Sequence, residues 1–421
     1  MPIQRITDRL GPGLITGAAD DDPSGIATYS QAGAQFRFGL VWTVLVTTPL
    51  MIGIQMLSAR IGWVTGQGLG RNIAKVCPRW LTVSLIALLV VANTINIAAD
   101  IGAMGEALRL LVGGSQLGYV LVFGAVSTLG QLWFSYENTV RILKWLTMAL
   151  FSYVAVILAV KVPLHQAAVE SLAPWRYLPP GTTVGDYAGM VVAVLGTTIS
   201  PYMFFWQAAQ EAEDNFRRPH VAELRSHPAY AAEHLGRIKV DTYVGMLFSN
   251  LVALCIVLAT AVTLNQHGIT TIQTSAQAAE ALRPVAGEFA FAVFALGIIG
   301  TGLLAVPVLA GSAAYAVSEV FGWRAGLSHG FHEARGFYGI IIAATVIGTA
   351  MGGLELDPIK ALVWSAIING VISVPIMVVM LWIGQSHRIM GALTMSRRHR
   401  FFGWSATVLM AVAVVVMFVT G

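Results

Sequence analysis

Runs of about 20 apolar residues, the length that crosses a hydrocarbon core, recur along the whole chain. Short polar stretches separate these runs and leave little chain for a separate soluble domain. The pattern predicts an all-α membrane protein with eleven transmembrane helices in one domain, residues 1–421. The predicted spans are 11–30, 39–59, 82–108, 117–134, 142–160, 184–209, 241–263, 287–320, 336–351, 359–384 and 402–420.

The composition excludes most classes of soluble protein. Apolar residues make up 56% of the 421 residues and charged residues 11%, whereas a soluble globular domain carries about 25% charged residues. This excludes cytosolic enzymes, disordered chains and nucleic-acid binders. The only cysteines are Cys77 and Cys255, which excludes a disulfide framework and a tetrahedral zinc site. Three aspartates interrupt the first apolar run, so no cleavable signal peptide is expected.

Lysine and arginine are distributed unevenly between the loops. With the amino terminus in the cytoplasm, nineteen of the 25 Lys and Arg residues lie on the inner side, as the positive-inside rule requires. We therefore expect a multi-pass protein of the plasma membrane, specifically a bacterial inner membrane, with the carboxyl terminus outside. Its partners are then membrane lipid and a small substrate, with no nucleic acid, and a monomer is the expected functional unit.

The first span carries an acidic segment near its middle, Asp20-Asp21-Asp22-Pro23-Ser24-Gly25. One ionised carboxylate at the bilayer centre costs about 2.5–3.5 kcal/mol, so three need a compensating role. Pro23 removes the hydrogen bond to the carbonyl of Ala19 and breaks the helix. The Asp22 carboxylate and that free carbonyl then point into one gap. Gly25 is predicted to let the chain turn, with the second half-helix beginning after it.

The sixth span repeats this arrangement. Pro201 releases the carbonyl of Thr197, and Ser200 precedes the break as Asp22 does in the first span. Two broken helices five spans apart are typical of a five-plus-five inverted repeat, whose site lies at the midplane between the unwound segments. The repeats are predicted at 11–160 and 184–384, with 402–420 as an additional helix. Simple kinking by proline is the alternative, and it is weakest for Pro23.

These residues resemble the NRAMP family of divalent-metal transporters, and most closely its magnesium-transporting branch. The resemblance covers most of the chain and rests on the Asp22-Pro23 break, the eleven-span plan, Gly11-Pro12-Gly13, Ser58-Ala59-Arg60-Ile61-Gly62 and Thr65-Gly66. It implies a LeuT-like fold with helices 1 and 6 broken at the midplane. It also implies cation transport by alternating access rather than catalysis.

The resemblance implies that the metal ligands include Asp22 and the carbonyls of Ala19 and Thr197. Ser200, Gly25 and Tyr202 are predicted to complete the metal site. The family motif Asp-Pro-Gly-Asn reads Asp22-Pro23-Ser24-Gly25 here, so Gly25 replaces an asparagine ligand. The family motif Met-Pro-His reads Ser200-Pro201-Tyr202. Loss of the thioether favours hard cations, and a wider, all-oxygen pocket suits a partly hydrated Mg²⁺. Mg²⁺ is therefore the predicted substrate, Mn²⁺ the secondary one, and no cofactor is expected.

Groups that could relay protons are sparse at membrane depth. All nine histidines fall in loops or at span ends. The positions that the family associates with proton movement are Tyr202 and Gln207 in span six, and Asp100 with Ala103 in span three. A relay needs groups that titrate near the working pH, so uniport is predicted. The membrane potential suffices, since a divalent ion gains about 4.6 kcal/mol per 100 mV.

Five polar residues are predicted to line the cavity or its vestibule. They are Asp20, Asp21, Asp100, Gln207 and Glu211. Two alternatives stay open: Asp100 as a proton relay, and Glu211 as part of a solvated helix end.

Other functions remain to be weighed. The nearest alternative is a proton-coupled Mn²⁺/Fe²⁺ transporter in which Met203 supplies sulfur. A sodium-coupled amino-acid carrier is disfavoured because Asp22 would repel the substrate carboxylate. A metal-sensing receptor that retains the transporter fold is disfavoured, because such a receptor needs a sizeable output domain and the sequence shows none. The role of Asn369, near the family's polar gating position in span ten, is left open.

Overall fold

The computed structural model describes residues 12–133, 150–216, 228–354 and 357–421. Within these ranges all regular secondary structure is helical. The α-helices are α1 Pro12–Asp20, α2 Pro23–Phe36, α3 Val41–Thr65, α4 Leu69–Val76, α5 Arg79–Val112, α6 Gln116–Trp133, α7 Phe151–Ala159, α8 Leu164–Leu172, α9 Val184–Thr198, α10 Pro201–Phe216, α11 Pro228–Thr263, α12 Ser275–Ala279, α13 Arg283–Ala286, α14 Ala290–Phe321, α15 Arg335–Gly352, α16 Pro358–Gln385, α17 His387–Met390 and α18 Arg397–Thr420. Short 3₁₀ helices cover Pro174–Arg176, Asn265–His267, Glu280–Leu282 and Gly287–Phe289.

Eight helical stretches in the described part of the chain are long and apolar enough to cross a membrane. They coincide with predicted spans two, three and six to eleven. Span one is divided between α1 and α2, and span four corresponds to α6. Span five is described only from residue 150 onward, where α7 is followed by α8 at an angle of 113°; its predicted part at 142–149 lies outside the described residues.

The two broken helices lie at the centre of the bundle. The long helix α11 packs along both α1 and α2, while α3 packs along α10 and α16 along α9. Glycines permit this close approach, as is typical of helices packed in lipid. A Cβ on Gly17 of α1 would collide with the backbone of Gly245 in α11, and one on Gly196 of α9 would collide with the Ala366 carbonyl in α16.

The predicted break in span one is confirmed, but one detail of it was wrong. Residues 21–22 interrupt the helix, and α2 begins at Pro23 rather than after Gly25. Asp22 is the N-cap of α2, with extended backbone (φ −66°, ψ 170°) and a side chain that accepts from the Gly25 amide. Aspartate at the N-cap and proline at the first helical position are favoured arrangements, so the chain turns at the aspartates and not at the glycine.

The break in span six lies at residues 199–200, between α9 and α10. It confirms the prediction from Pro201, which is the first residue of α10. Ser373 of α16 donates a hydrogen bond to the Ile199 carbonyl at 2.6 Å. The interrupted backbone of the second break is therefore partly satisfied by a neighbouring helix.

Candidate metal-binding site

Asp22 lies at the centre of the candidate site and is 1% exposed. Its Oδ1 accepts from the Ser24 hydroxyl at 2.7 Å and from the Gly25 amide at 2.8 Å. Its Oδ2 accepts from the Asn96 side-chain amide at 3.0 Å and lies 3.4 Å from the Tyr202 hydroxyl. The first oxygen is thus used to cap α2, and the second faces residues from other helices.

Each carbonyl released by a proline accepts a hydrogen bond from a side-chain hydroxyl. The Ala19 carbonyl accepts from Tyr202 at 3.1 Å, and the Thr197 carbonyl accepts from Ser200 at 3.0 Å. Tyr202 therefore covers both Ala19 and Asp22, which are two of the predicted ligands. The Ser200 hydroxyl also approaches the Gly196 carbonyl at 2.5 Å, and its lone pairs remain available to a cation.

Gly25 brings the two broken helices together instead of leaving open space. A Cβ at this position would lie 3.1 Å from the Thr197 Oγ1 and 3.2 Å from the Asp20 carbonyl. The wider pocket inferred from the missing asparagine is therefore not seen in this conformation, since the ends of α1 and α9 occupy the space.

Three further acidic side chains lie beside Asp22. Asp20 and Asp100 are fully buried and Asp21 is 1% exposed. The Ser249 hydroxyl of α11 donates to Asp20 and lies 3.3 Å from Asp21. Within the described residues, one oxygen of Asp20, one of Asp21 and both of Asp100 have no hydrogen-bond partner. In this conformation they face no open water, so their predicted role in lining a cavity stays a prediction.

The electrostatics of this cluster favour a cation. No Lys or Arg of the described ranges forms an ion pair with these four aspartates, and buried carboxylates need a compensating charge or hydrogen bonds. No group of three or more His, Cys, Asp or Glu side chains is arranged as a ready metal cage in the same part of the chain. The available donors are instead carboxylate, carbonyl and hydroxyl oxygens, which are hard ligands.

Sequence reasoning missed three residues that hold the acidic segment. Asn96 of α5 contacts Asp22, and Ser365 of α16 donates to the Asn96 Oδ1 at 2.7 Å. Ser249 comes from α11. These residues are distant in sequence from the break, so no local motif pointed to them.

Gln207 and Glu211 lie on α10, after the second break, and both are buried in polar networks. Gln207 accepts from Gln55 at 2.5 Å and donates to Thr242 at 3.0 Å. Glu211 is fully buried and pairs with Arg237 at 2.9 Å. Glu211 is therefore not part of a solvated helix end, and a vestibule role for it would require another conformation.

The start of α1 is fastened to α11 by a further acid that the sequence did not single out. Asp241 accepts from the Gly13 amide at 2.7 Å and from the Leu14 amide at 3.0 Å. These amides belong to the first turn of α1, where no helical carbonyl is available to them. α1 is thus held at its first turn by Asp241 and at its middle by the Gly17–Gly245 contact.

Asn369 and Met203, whose roles the sequence left open, are both buried. Asn369 is 1% exposed, and neither polar atom of its side chain has a partner among the described residues. It lies one turn before Ser373, which contacts the second break. Met203 is fully buried in the first turn of α10, where its amide approaches the Ser200 carbonyl at 3.3 Å.

Comparisons with known proteins agree with this geometry. The model of the natural resistance-associated macrophage protein-like (Nramp) family matches residues 13–420. The chain is 27% identical over 301 residues to the divalent metal cation transporter MntH of Pectobacterium carotovorum subsp. carotovorum, covering 70% of this chain and 68% of that protein. It is 26% identical over 420 residues to MntH of Deinococcus radiodurans, covering 97% and 88%.

Solved structures show the same fold. A manganese transporter of Eremococcus coleocola, in complex with an aromatic bis-isothiourea substituted compound, aligns with a TM-score of 0.75 at 17% identity, over 98% of this chain and 86% of that one. MhsT in complex with L-phenylalanine aligns with a TM-score of 0.54 at 13% identity, over 97% of both chains. The LeuT-like fold that the family resemblance implies is thereby confirmed.

Proposed function

The chain belongs to the Nramp family, and on that premise we propose that it is a secondary transporter that moves divalent metal cations by alternating access. Mg²⁺ is the proposed main substrate and Mn²⁺ the second. The ion binds at Asp22 between the two breaks. The proposed setting is a bacterial inner membrane, with the amino terminus in the cytoplasm and the carboxyl terminus outside. The proposed functional unit is a monomer without a resident cofactor.

One observation carries this proposal: an acidic oxygen and a proline-released carbonyl meet at a single buried point. The Tyr202 hydroxyl is 3.1 Å from the Ala19 carbonyl and 3.4 Å from the Asp22 Oδ2, so this one hydroxyl lies close to both oxygens. A cation in place of the hydroxyl proton would be attracted to both oxygens. Broken-helix transporters use the carbonyls of unwound segments for their ions in this way.

The preference for Mg²⁺ rests on the chemistry of the donors. Ser200 offers a hydroxyl where a thioether would favour softer ions, and the other candidate ligands of the first and second breaks are oxygens. Mg²⁺ keeps several of its waters and is held by one or two carboxylates. The unpartnered oxygens of Asp20 and Asp100 could accept hydrogen bonds from such waters.

Uniport is proposed because histidine does not contribute to the site in the described part of the chain. Tyr202 and Gln207 occupy the positions of span six that the family resemblance associates with proton movement. Gln207 forms hydrogen bonds with Gln55 and Thr242. A neutral carboxamide does not titrate. The membrane potential and the ion gradient are then the driving forces.

The experiment uses the purified chain in proteoliposomes with Mg²⁺ or Mn²⁺ outside and a pH dye inside. We expect flux of both ions without acidification when the membrane potential is clamped at zero. Asp22→Ala should abolish the flux. The matched control is Asp357→Ala, since Asp357 is also an N-cap before a proline, accepting from the Lys360 amide at 3.3 Å on α16. Normal Mg²⁺ flux in Asp22→Ala would refute the site, and metal-driven acidification would refute uniport.

Proton-coupled Mn²⁺ transport is the second candidate, favoured by the names of the relatives. The structural neighbour from Eremococcus coleocola is a manganese transporter, and the MntH proteins are named divalent metal cation transporters. The same assay separates the two, because this candidate requires acidification together with Mn²⁺ entry and weak competition by Mg²⁺.

A further inference from the structure

Asn96 is the only described side-chain amide that contacts Asp22. It is fully buried on α5, and its Nδ2 donates to the Asp22 Oδ2 at 3.0 Å. Oδ2 is the carboxylate oxygen that does not cap α2. In this conformation the carboxamide therefore presents its donor to the position that a cation would approach.

Ser365 holds the other end of the carboxamide. Its hydroxyl lies 2.7 Å from the Asn96 Oδ1 and equally 2.7 Å from the Leu362 carbonyl. A hydroxyl can donate one hydrogen bond and accept others. If the Asn96 carboxamide turns over, its Nδ2 can donate to the Ser365 Oγ, whose proton is then given to the Leu362 carbonyl. Ser365 and the end of the carboxamide that faces it thus have a partner in both orientations, whereas the turned orientation brings the Asn96 oxygen against the Asp22 Oδ2 and needs a cation between them.

The distances fit an oxygen pair that shares a cation. After the carboxamide turns, its oxygen replaces the nitrogen that now lies 3.0 Å from the Asp22 Oδ2. Two neighbouring ligands of an octahedral ion with bonds of about 2.0–2.1 Å are separated by about 2.9 Å. The existing spacing therefore needs almost no adjustment of α5 relative to α2.

We propose that Asn96 is a ligand of the transported ion: its carboxamide turns over when the cation arrives and supplies an oxygen from α5, while Ser365 stabilises both orientations. This inference rests on the proposed function. It gives the site a carboxamide oxygen even though position 25 is glycine, and it joins α5 and α16 to the ion.

The test measures Mn²⁺ and Mg²⁺ uptake by the full chain in proteoliposomes for three variants. Asn96→Ala should raise the KM for Mn²⁺ about tenfold, the lower end of the effect of losing a group next to a metal, with little change in kcat. Asn96→Asp should keep the KM at or below that of the wild type, because it retains the oxygen. The matched control is Asn93→Ala, since Asn93 is equally buried one turn earlier on α5 and donates hydrogen bonds to Leu309 and Ser312 of α14. The KM of the Asn93→Ala variant should equal that of the wild type.

The variants separate a ligand from a residue that only orients Asp22. An orienting role needs the N–H donor, so Asn96→Asp would then be as impaired as Asn96→Ala, and this result would overturn the proposal. If Asn96→Ala does not fold, Asn96→Asp alone decides, since the two roles predict opposite effects. A wild-type chain that moves neither ion refutes the proposed function itself, whereas normal wild-type flux with an unaltered Asn96→Ala refutes only the role of Asn96.

Discussion

The Tyr202 hydroxyl covers the position where the ion is proposed to bind, and Tyr202→Phe removes this hydroxyl alone. In the structure the hydroxyl donates to the Ala19 carbonyl at 3.1 Å. Its 3.4 Å approach to Asp22 is too long to contribute much. The binding of a cation must therefore displace one good hydrogen bond.

The expected magnitude follows from that bond. A neutral hydrogen bond contributes about 0.5–1.5 kcal/mol, and a buried carbonyl left without a partner costs about 1–3 kcal/mol. Tyr202→Phe should thus destabilise the ion-free state by about 1–2 kcal/mol and leave the ion-bound state unchanged. The Kd for Mn²⁺ should fall about five- to thirty-fold.

Calorimetric titration of the purified protein with Mn²⁺ measures this change. Tyr153→Phe is the control, because Tyr153 is also a buried tyrosine but lies on α7. A tenfold increase in Kd for Tyr202→Phe would refute the reasoning and make the phenol oxygen a ligand. An unchanged Kd would show that the hydroxyl is not displaced at all.

Three other perturbations have defined outcomes. Ser200→Met should raise the affinity for Cd²⁺ about tenfold, because a thioether suits soft ions. This affinity is measured by the competition of Cd²⁺ with Mn²⁺ uptake, and an unchanged Cd²⁺ affinity would place residue 200 away from the ion. Asp241→Ala should lower the free energy of unfolding by about 2–4 kcal/mol, since one buried and one partly buried amide of α1 lose their acceptor; equal denaturation curves in SDS would contradict this. Gly17→Val should prevent close packing on Gly245 and reduce the monodisperse fraction in size-exclusion chromatography, whereas an unaltered profile would show that α1 tolerates displacement.

The break in span one could be predicted because its cause is local. Pro23 cannot donate to the Ala19 carbonyl, and three acidic residues cannot all face one partner on a regular helix. A turn at Gly25 predicts a start of α2 that is too late, since the helix begins at Pro23. The N-cap preference of Asp22 and the preference of proline for the first helical position were the better signals.

The partners of the acidic segment could not be predicted, because they come from helices far along the chain. Asn96, Ser249 and Ser365 lie in apolar spans and belong to no motif. Whether a buried polar residue of a span faces Asp22 or another helix depends on the rotation of that span about its axis. Asn93 illustrates this, since it lies only one turn from Asn96 and contacts α14 instead.

The two oxygens of Asp22 differ in what they are free to do. One is committed to the Ser24 hydroxyl and the Gly25 amide and so keeps the first turn of α2 closed. Only the other can bind an ion without unwinding that turn. Calcium takes about six to eight oxygens and often grips both oxygens of one carboxylate, so chelating it here would sacrifice the helix start. On the proposed function, the site would therefore disfavour the larger alkaline-earth ion through the backbone rather than through the diameter of a pore.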